Sequence, residues 1–346
     1  MSTLQIGLAI AGGLVLAAVV AHGAWSARKV TPRQAQPGAD DNRPTEPGEA
    51  IEPRLDADAF EVPQAPLHPP AEKKPGLDAL IDVIAPIALE AEVHGEAVVA
   101  SLPSTRRVGS KPFAVEGLNS ETRHWEPPAA GQRYEALQAG VQMANRSGAL
   151  NEIEFSEFVA KTQALCDALG GTADFPDMLE EVARARELDQ FASGHDAQLG
   201  FTLRAQSAAW SPGYVQQQAA RLGFILGSLP GRMVLPATAA GMPPVLSLVF
   251  DTQAALADDP AQAAVRQVAL GLDVAQVERS EQPFVRLRDV AQAMAQAMDG
   301  IITDDNGQVL PRDAMDAIGG ELEGLYDTLE QRDLAAGSAL ARRLFS

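Results

Sequence analysis

Residues 134–145 read YEALQAGVQMAN and residues 268–279 read VALGLDVAQVER. Each stretch leads into an amphipathic segment at the same offset: Gly140 precedes Val159 by 19 residues, and Gly271 precedes Val290 by 19. Both segments, about Phe155–Leu169 and Phe284–Met298, end near glycine, at Gly170-Gly171 and at Gly300. A helix C-cap favours glycine there because it turns left-handed without steric cost. Asp174 or Asp304 follows, then a proline at 176 or 311, then another helical pattern. A period of about 130 residues is domain-sized, so the pattern predicts a duplicated domain and not a solenoid.

The periodicities say what each copy contains. Phe284, Leu287, Ala291, Met294 and Met298 fall on one side of a helix, as do Met315, Ile318, Leu322, Leu325 and Leu329. Phe155, Phe158, Thr162, Leu165 and Leu169 do the same in the first copy. These stripes are read as core faces. Leu199, Phe201 and Leu203 instead alternate with Gly200, Thr202 and Arg204, and Leu270, Leu272 and Val274 alternate with Gly271 and Asp273. One apolar and one open face predict antiparallel sheets with helices on one side. Ser211-Pro212 supplies a cap and a first-turn proline before Val215, Ala219 and Leu222. From about Gly194 the order is strand, helix, two strands, a short connection, strand, helix, strand, helix. That is the order of a split β-α-β fold. The expected class is α+β, with two tandem split β-α-β domains at 76–193 and 194–346. The earlier parts of the copies align loosely, which makes the first the degenerate one.

Upstream the composition changes twice. Residues 2–27 carry no charged side chain. As a helix, Leu4 to Trp25 would extend roughly 33 Å, which matches the ~30 Å hydrocarbon layer of a bilayer. A signal peptide would place basic residues before the apolar run. Here Arg28, Lys29 and Arg33 follow it, which predicts a membrane span at 4–27 with residues 1–3 periplasmic and the remainder cytoplasmic. Membrane contact is expected from Leu4 to Ser26. Residues 28–75 are proline-rich and acidic, with few apolar side chains, and read as a disordered linker. It is a spacer or, in the alternative, a docking segment for a proline-binding domain, although no distinctive motif is present.

Composition also excludes function classes. Asp and Glu number 46 against 27 Lys and Arg, a net charge of −19, which disfavours nucleic acid and anionic headgroups as ligands. Cys166 is the sole cysteine, so no intrachain disulfide or thiolate cluster forms. Gly-x-Ser-x-Gly, P-loop and dinucleotide fingerprints are missing. The five histidines, at 22, 68, 94, 124 and 195, lack ligand spacing. Asp304-Asp305-Asn306-Gly307 reads as a tight turn, since it lacks the alternating ligands and final glutamate of an EF-hand. The expectation is a non-enzyme without catalytic residues, cofactor or metal.

In three respects the chain resembles the ZipA family, bacterial membrane tethers for the cell-division GTPase FtsZ. The plan of span, proline-rich linker and split β-α-β domain is similar. So is RLGFILGSLPGRMVLP, residues 221–236, and so is the run from Phe284 through the helix to IITDDNGQVL, ending at Leu310. The resemblance covers the span, the linker style and about 150 C-terminal residues.

It implies an inner-membrane protein at the division site whose open sheet face binds the C-terminal tail of FtsZ. Carried over strand by strand, that face has four rows: Gln198, Gly200, Thr202 and Arg204; Leu229, Gly231 and Met233; Ser247, Val249 and Asp251; Ala269, Gly271 and Asp273. The expected tail-binding residues are Gly200, Thr202, Arg204, Leu229, Gly231, Met233, Val249 and Gly271. Leu229, Met233 and Val249 would supply apolar contact, and the glycines close backbone approach. Arg204 is free to meet an acidic residue or simply to be solvated. In the alternative the glycines mark bulges and the apolar residues are scattered surface groups. The competing function is a membrane-anchored regulator that binds another division protein or a small ligand on this face.

Overall fold

The computed structural model describes residues 76–259 and 263–346. The expected span at 4–27 and linker at 28–75 lie outside the described residues. Among the described residues no helix is long and apolar enough to cross a membrane.

In chain order the elements are β1 (Asp82–His94), α1 (Gly95–Ser101), β2 (Arg107–Val108), β3 (Lys111–Asn119), β4 (Trp125–Glu126), β5 (Arg133–Gln142), β6 (Ala144–Asn145), β7 (Gly148–Ala149), α2 (Glu152–Leu169), β8 (Gly171–Ala173) and α3 (Met178–His195). They continue with β9 (Gln198–Ala205), α4 (Pro212–Arg221), β10 (Ile225–Leu226), β11 (Arg232–Leu235), β12 (Leu246–Phe250), α5 (Thr252–Ala255), β13 (Gln267–Asp273), α6 (Pro283–Met298), β14 (Gly300–Thr303), α7 (Arg312–Glu330) and α8 (Ala339–Leu344).

The fold is mixed α+β with antiparallel sheets, as the alternation predicts. One sheet runs β2-β3-β5-β1-β8, with β4 on the side of β3. The other runs β10-β11-β12-β13-β9-β14. The paths β3-β5-β1-β8 and β12-β13-β9-β14 share one connectivity. The two quoted stretches, β5 into α2 and β13 into α6, hold the same place in it.

The described residues cluster into two units. The first holds residues 76–198, 273–280 and 320–346, and the second holds 199–272 and 281–319. A cut at 193/194 would give 273–280 and 320–346 to the second copy. Their bonds lie instead within the first unit. Arg146 pairs with Asp273 at 2.8 Å, and Arg343 pairs with Asp82. Gln142 donates to the carbonyl of Arg343 at 2.9 Å.

Local chemistry sets the helix ends. Asn151 and Glu154 form a capping box on α2, Asp177 caps α3, and the Ser211 hydroxyl accepts from the amide of Tyr214 on α4. Gly170 takes the left-handed turn after α2, with φ 68°. After α6 that turn falls on Asp299 (φ 56°), one residue before the expected glycine. Gly300 is needed for space, since a Cβ there would lie 3.2 Å from the Trp210 ring. Trp210 is fully buried and donates through Nε1 to the carbonyl of Met298 at 2.7 Å.

In the second unit Phe201, Leu203, Leu248, Phe250, Leu270 and Leu272 are buried on one side of the sheet. The α6 stripe Phe284, Leu287, Ala291, Met294 and Met298 is buried too, and the Phe201 and Phe284 rings meet edge-on at 6.2 Å. Burying each of the Phe, Leu and Met side chains contributes about 1.5–3 kcal/mol. In the first unit the same arrangement brings Phe113 and Phe155 edge-on against Phe158 of α2, at 6.1 and 5.9 Å.

Candidate binding face

The sheet of the second unit leaves one side free of helices, and alternation decides which residues it shows. On β9, Thr202 and Arg204 point outward between buried Phe201 and Leu203. On β12 the outward residues are Ser247 and Val249, and on β13 they are Ala269 and Gly271. The ladder pairs Ser247 with Gly271 and Val249 with Ala269, so these four form one continuous patch. Gly271 also makes room for its neighbour, since a Cβ there would lie 2.8 Å from the Ser247 hydroxyl.

The expected row of Leu229, Gly231 and Met233 is out of phase. Met233 is only 2% exposed and faces the core, while Arg232 and Val234 turn outward. A slip of one residue moves every side chain of a strand to the other face. The cause lies in the preceding turn. Gly231 has φ 75° and is buried, so β11 starts only at Arg232, and a Cβ on Gly231 would lie 2.6 Å from the carbonyl of Phe250. Leu229 belongs to that turn and not to a strand, at 57% exposure. The dipeptide Pro230-Gly231 was the available signal, because it marks a turn and so delays the strand. Arg232, paired with Val249, and Val234, paired with Ser247 and with Ile225, are the face residues that the sequence reading missed.

Two more expected residues sit under a turn. Asp304 to Gly307 forms the tight turn expected of it: the Gly307 amide donates to the carbonyl of Asp304 at 3.0 Å, and Gly307 has φ 79°. A Cβ on Gly200 would lie 3.2 Å from Asp305 Oδ1, and one on Gly307 3.0 Å from Arg204 Nη1. Gly200 therefore makes space for Asp305, and Arg204 packs beneath Gly307. Its Nε is buried and has no hydrogen-bond partner. Asp273, at the end of its row, is held by Arg146 at 2.8 Å.

Of the eight expected residues, Thr202, Val249 and Gly271 come together on the open face. Gly200 and Arg204 serve the covering turn, Leu229 stands apart in the β10–β11 turn, and Gly231 and Met233 are interior. A shallow depression of about 560 Å³ runs along the face past Thr202, Val249 and Ala269 to Arg266 and Asp251. Near the sheet edge, Ile225 and Leu226 are 54% and 68% exposed. The arrangement offers apolar contact and backbone approach, with one arginine and one aspartate at the end of the depression. Among the described residues no cluster of three or more His, Cys, Asp or Glu could hold a metal ion. Comparison with known protein families and with curated proteins returned no match.

Proposed function

We propose that the chain is a membrane tether that binds the C-terminal tail of FtsZ on the open face of its second unit, as its resemblance to the ZipA family implies. The observation that carries this reading is the patch of Val249, Ala269, Gly271 and Thr202, left without a helix beside the exposed apolar edge at Ile225 and Leu226. Side chains this small let a peptide backbone come close, and Val249 supplies aliphatic contact. The uncharged run 2–27 followed by Arg28 and Lys29 supports the anchor. A filament presents many tails, so copies confined to a membrane bind it by avidity even where each contact is weak.

The test is fluorescence anisotropy of a labelled FtsZ tail peptide with the full chain in detergent solution. Val249→Glu should weaken binding by at least about tenfold, because a carboxylate would be buried against the peptide. Unchanged affinity in a folded Val249→Glu variant would overturn the reading.

A further inference from the structure

The strand pair that carries the proposed tail-binding patch occurs twice in the chain. Gly140 and Gly271 each precede a helical valine by 19 residues. β3 sets Ala114 against Gly140 and Glu116 against Gln138, while β12 sets Ser247 against Gly271 and Val249 against Ala269. Phe113, next to Ala114, meets Phe158 of α2. By alternation, Ala114, Glu116, Gln138 and Gly140 lie on the side of their sheet away from that helix. These four are therefore the counterparts of Ser247, Val249, Ala269 and Gly271.

What lies on the two glycines differs. Among the described residues, a Cβ on Gly271 would meet only its own sheet within 4 Å, at Ser247 Oγ (2.8 Å) and the carbonyl of Leu199 (4.0 Å). A Cβ on Gly140 would instead lie 2.4 Å from Leu77 Cδ2 and 2.8 Å from Leu77 Cδ1. Leu77 precedes β1 and belongs to no strand, so it reaches this face from outside the sheet. Its amide donates to Glu116 Oε1 at 3.1 Å, and Gln138 donates to Oε2 at 2.8 Å. Glu116 is 5% exposed, and these two donors satisfy its carboxylate. Gly76 passes so near that a Cβ there would lie 2.9 Å from Glu116 Oε1. Both ends of the strap are held. Arg343 donates to the carbonyl of Gly76 at 3.3 Å, and the amides of Ile81 and Asp82 donate to that of Asp78 at 3.0 and 2.8 Å. An aliphatic side chain on a glycine, with a main-chain amide given to the face, is how an extended peptide ligand makes contact.

We propose that residues 76–80 are a built-in peptide ligand of the first unit, seated where the second unit takes the FtsZ tail. The first face is thereby closed to a tail, and the chain binds one tail instead of two, a count that rests on the tail-binding reading for the identity of the excluded ligand. A ligand on the same chain acts at an effective concentration on the order of mM, so a dilute tail of equal intrinsic affinity does not displace it.

Two measurements on the full chain in detergent solution test this. In the first, labelled FtsZ tail is titrated to saturation and the bound tails are counted per chain. The wild type is expected to take one, Leu77→Asp two, Val249→Glu none, and the double variant one. Aspartate at 77 removes the aliphatic contact and sets a second carboxylate beside Glu116, which repels it. Two tails on the wild type, or only one on Leu77→Asp, would overturn the proposal. In the second, a peptide of residues 74–80, Lys-Pro-Gly-Leu-Asp-Ala-Leu, carries a diazirine analogue of leucine at the place of Leu77. Irradiated at about 1 mM, it should label β3 or β5 of Leu77→Asp at least about fivefold more than the same strands of the wild type. Equal labelling, or none on those strands, would also overturn the proposal. Where no tail binds the wild type, the tail-binding reading fails and the labelling alone decides the role of the strap. Leu77 is half-buried and precedes the first strand, and Leu77→Ser serves in both measurements where Leu77→Asp does not fold.

Discussion

Val249 and Met233 look alike in sequence, yet they belong to opposite sides of one sheet. Glutamate at 249 is expected to cost binding while leaving the fold intact. Glutamate at 233 would put a carboxylate among Leu248, Phe250 and their neighbours, and should lower stability by about 3 kcal/mol or more. Urea denaturation of the two variants side by side checks the assignment of faces. A second residue-scale test concerns Asp82, which is fully buried at the start of β1. Burial raises its pKa above the ordinary carboxylate value, and the bond to Arg343 only partly offsets this. A raised folded pKa means that the folded state holds the proton more tightly. The corresponding stability is present at low pH and is lost as pH rises through the folded pKa. Removing the cation in Arg343→Met should extend that loss to higher pH. The variant is expected to be destabilised by about 3–5 kcal/mol at pH 8 and by clearly less near pH 4, read from urea midpoints at both pH values.

At the scale of elements, turns decided what periodicity did not. The helical stripes of α2 and α6 were legible because 3.6-residue spacing repeats over four turns. The alternation of β9 and β13 was legible because each strand gives several residues of evidence. β11 has four residues, and its phase depends on where Gly231 releases the chain. Gly231→Ala should therefore destabilise by more than about 1 kcal/mol, from the left-handed backbone and the approach to the carbonyl of Phe250, with the thermal midpoint as readout. The Asp304–Gly307 turn was recognised as a turn, but its position over Gly200 and Arg204 was not. Contact between a turn and a strand some hundred residues away leaves no local pattern.

For the molecule as a whole, the two compact units do not follow the repeat. A fragment 194–346, cut by the repeat, carries residues 273–280 and 320–346 away from their partners in the first unit. Limited proteolysis should cleave such a fragment within 320–346 while the same segment in the full chain resists. Equal resistance in both would show that the segment folds with the second copy alone. The sequence by itself determined the α+β class, the duplicated strand–helix passage, the buried stripes and the acidic, cysteine-poor chemistry. These follow from composition and from spacings within some twenty residues, where side-chain direction tracks chain position. Tertiary structure alone decided which residues of β11 face outward, that Asp305 covers Gly200, that Leu77 closes over Gly140, and that Arg343 meets Asp82. Each of these joins segments distant in the chain, and their pairing is settled by the free energy of packing and not by any local preference.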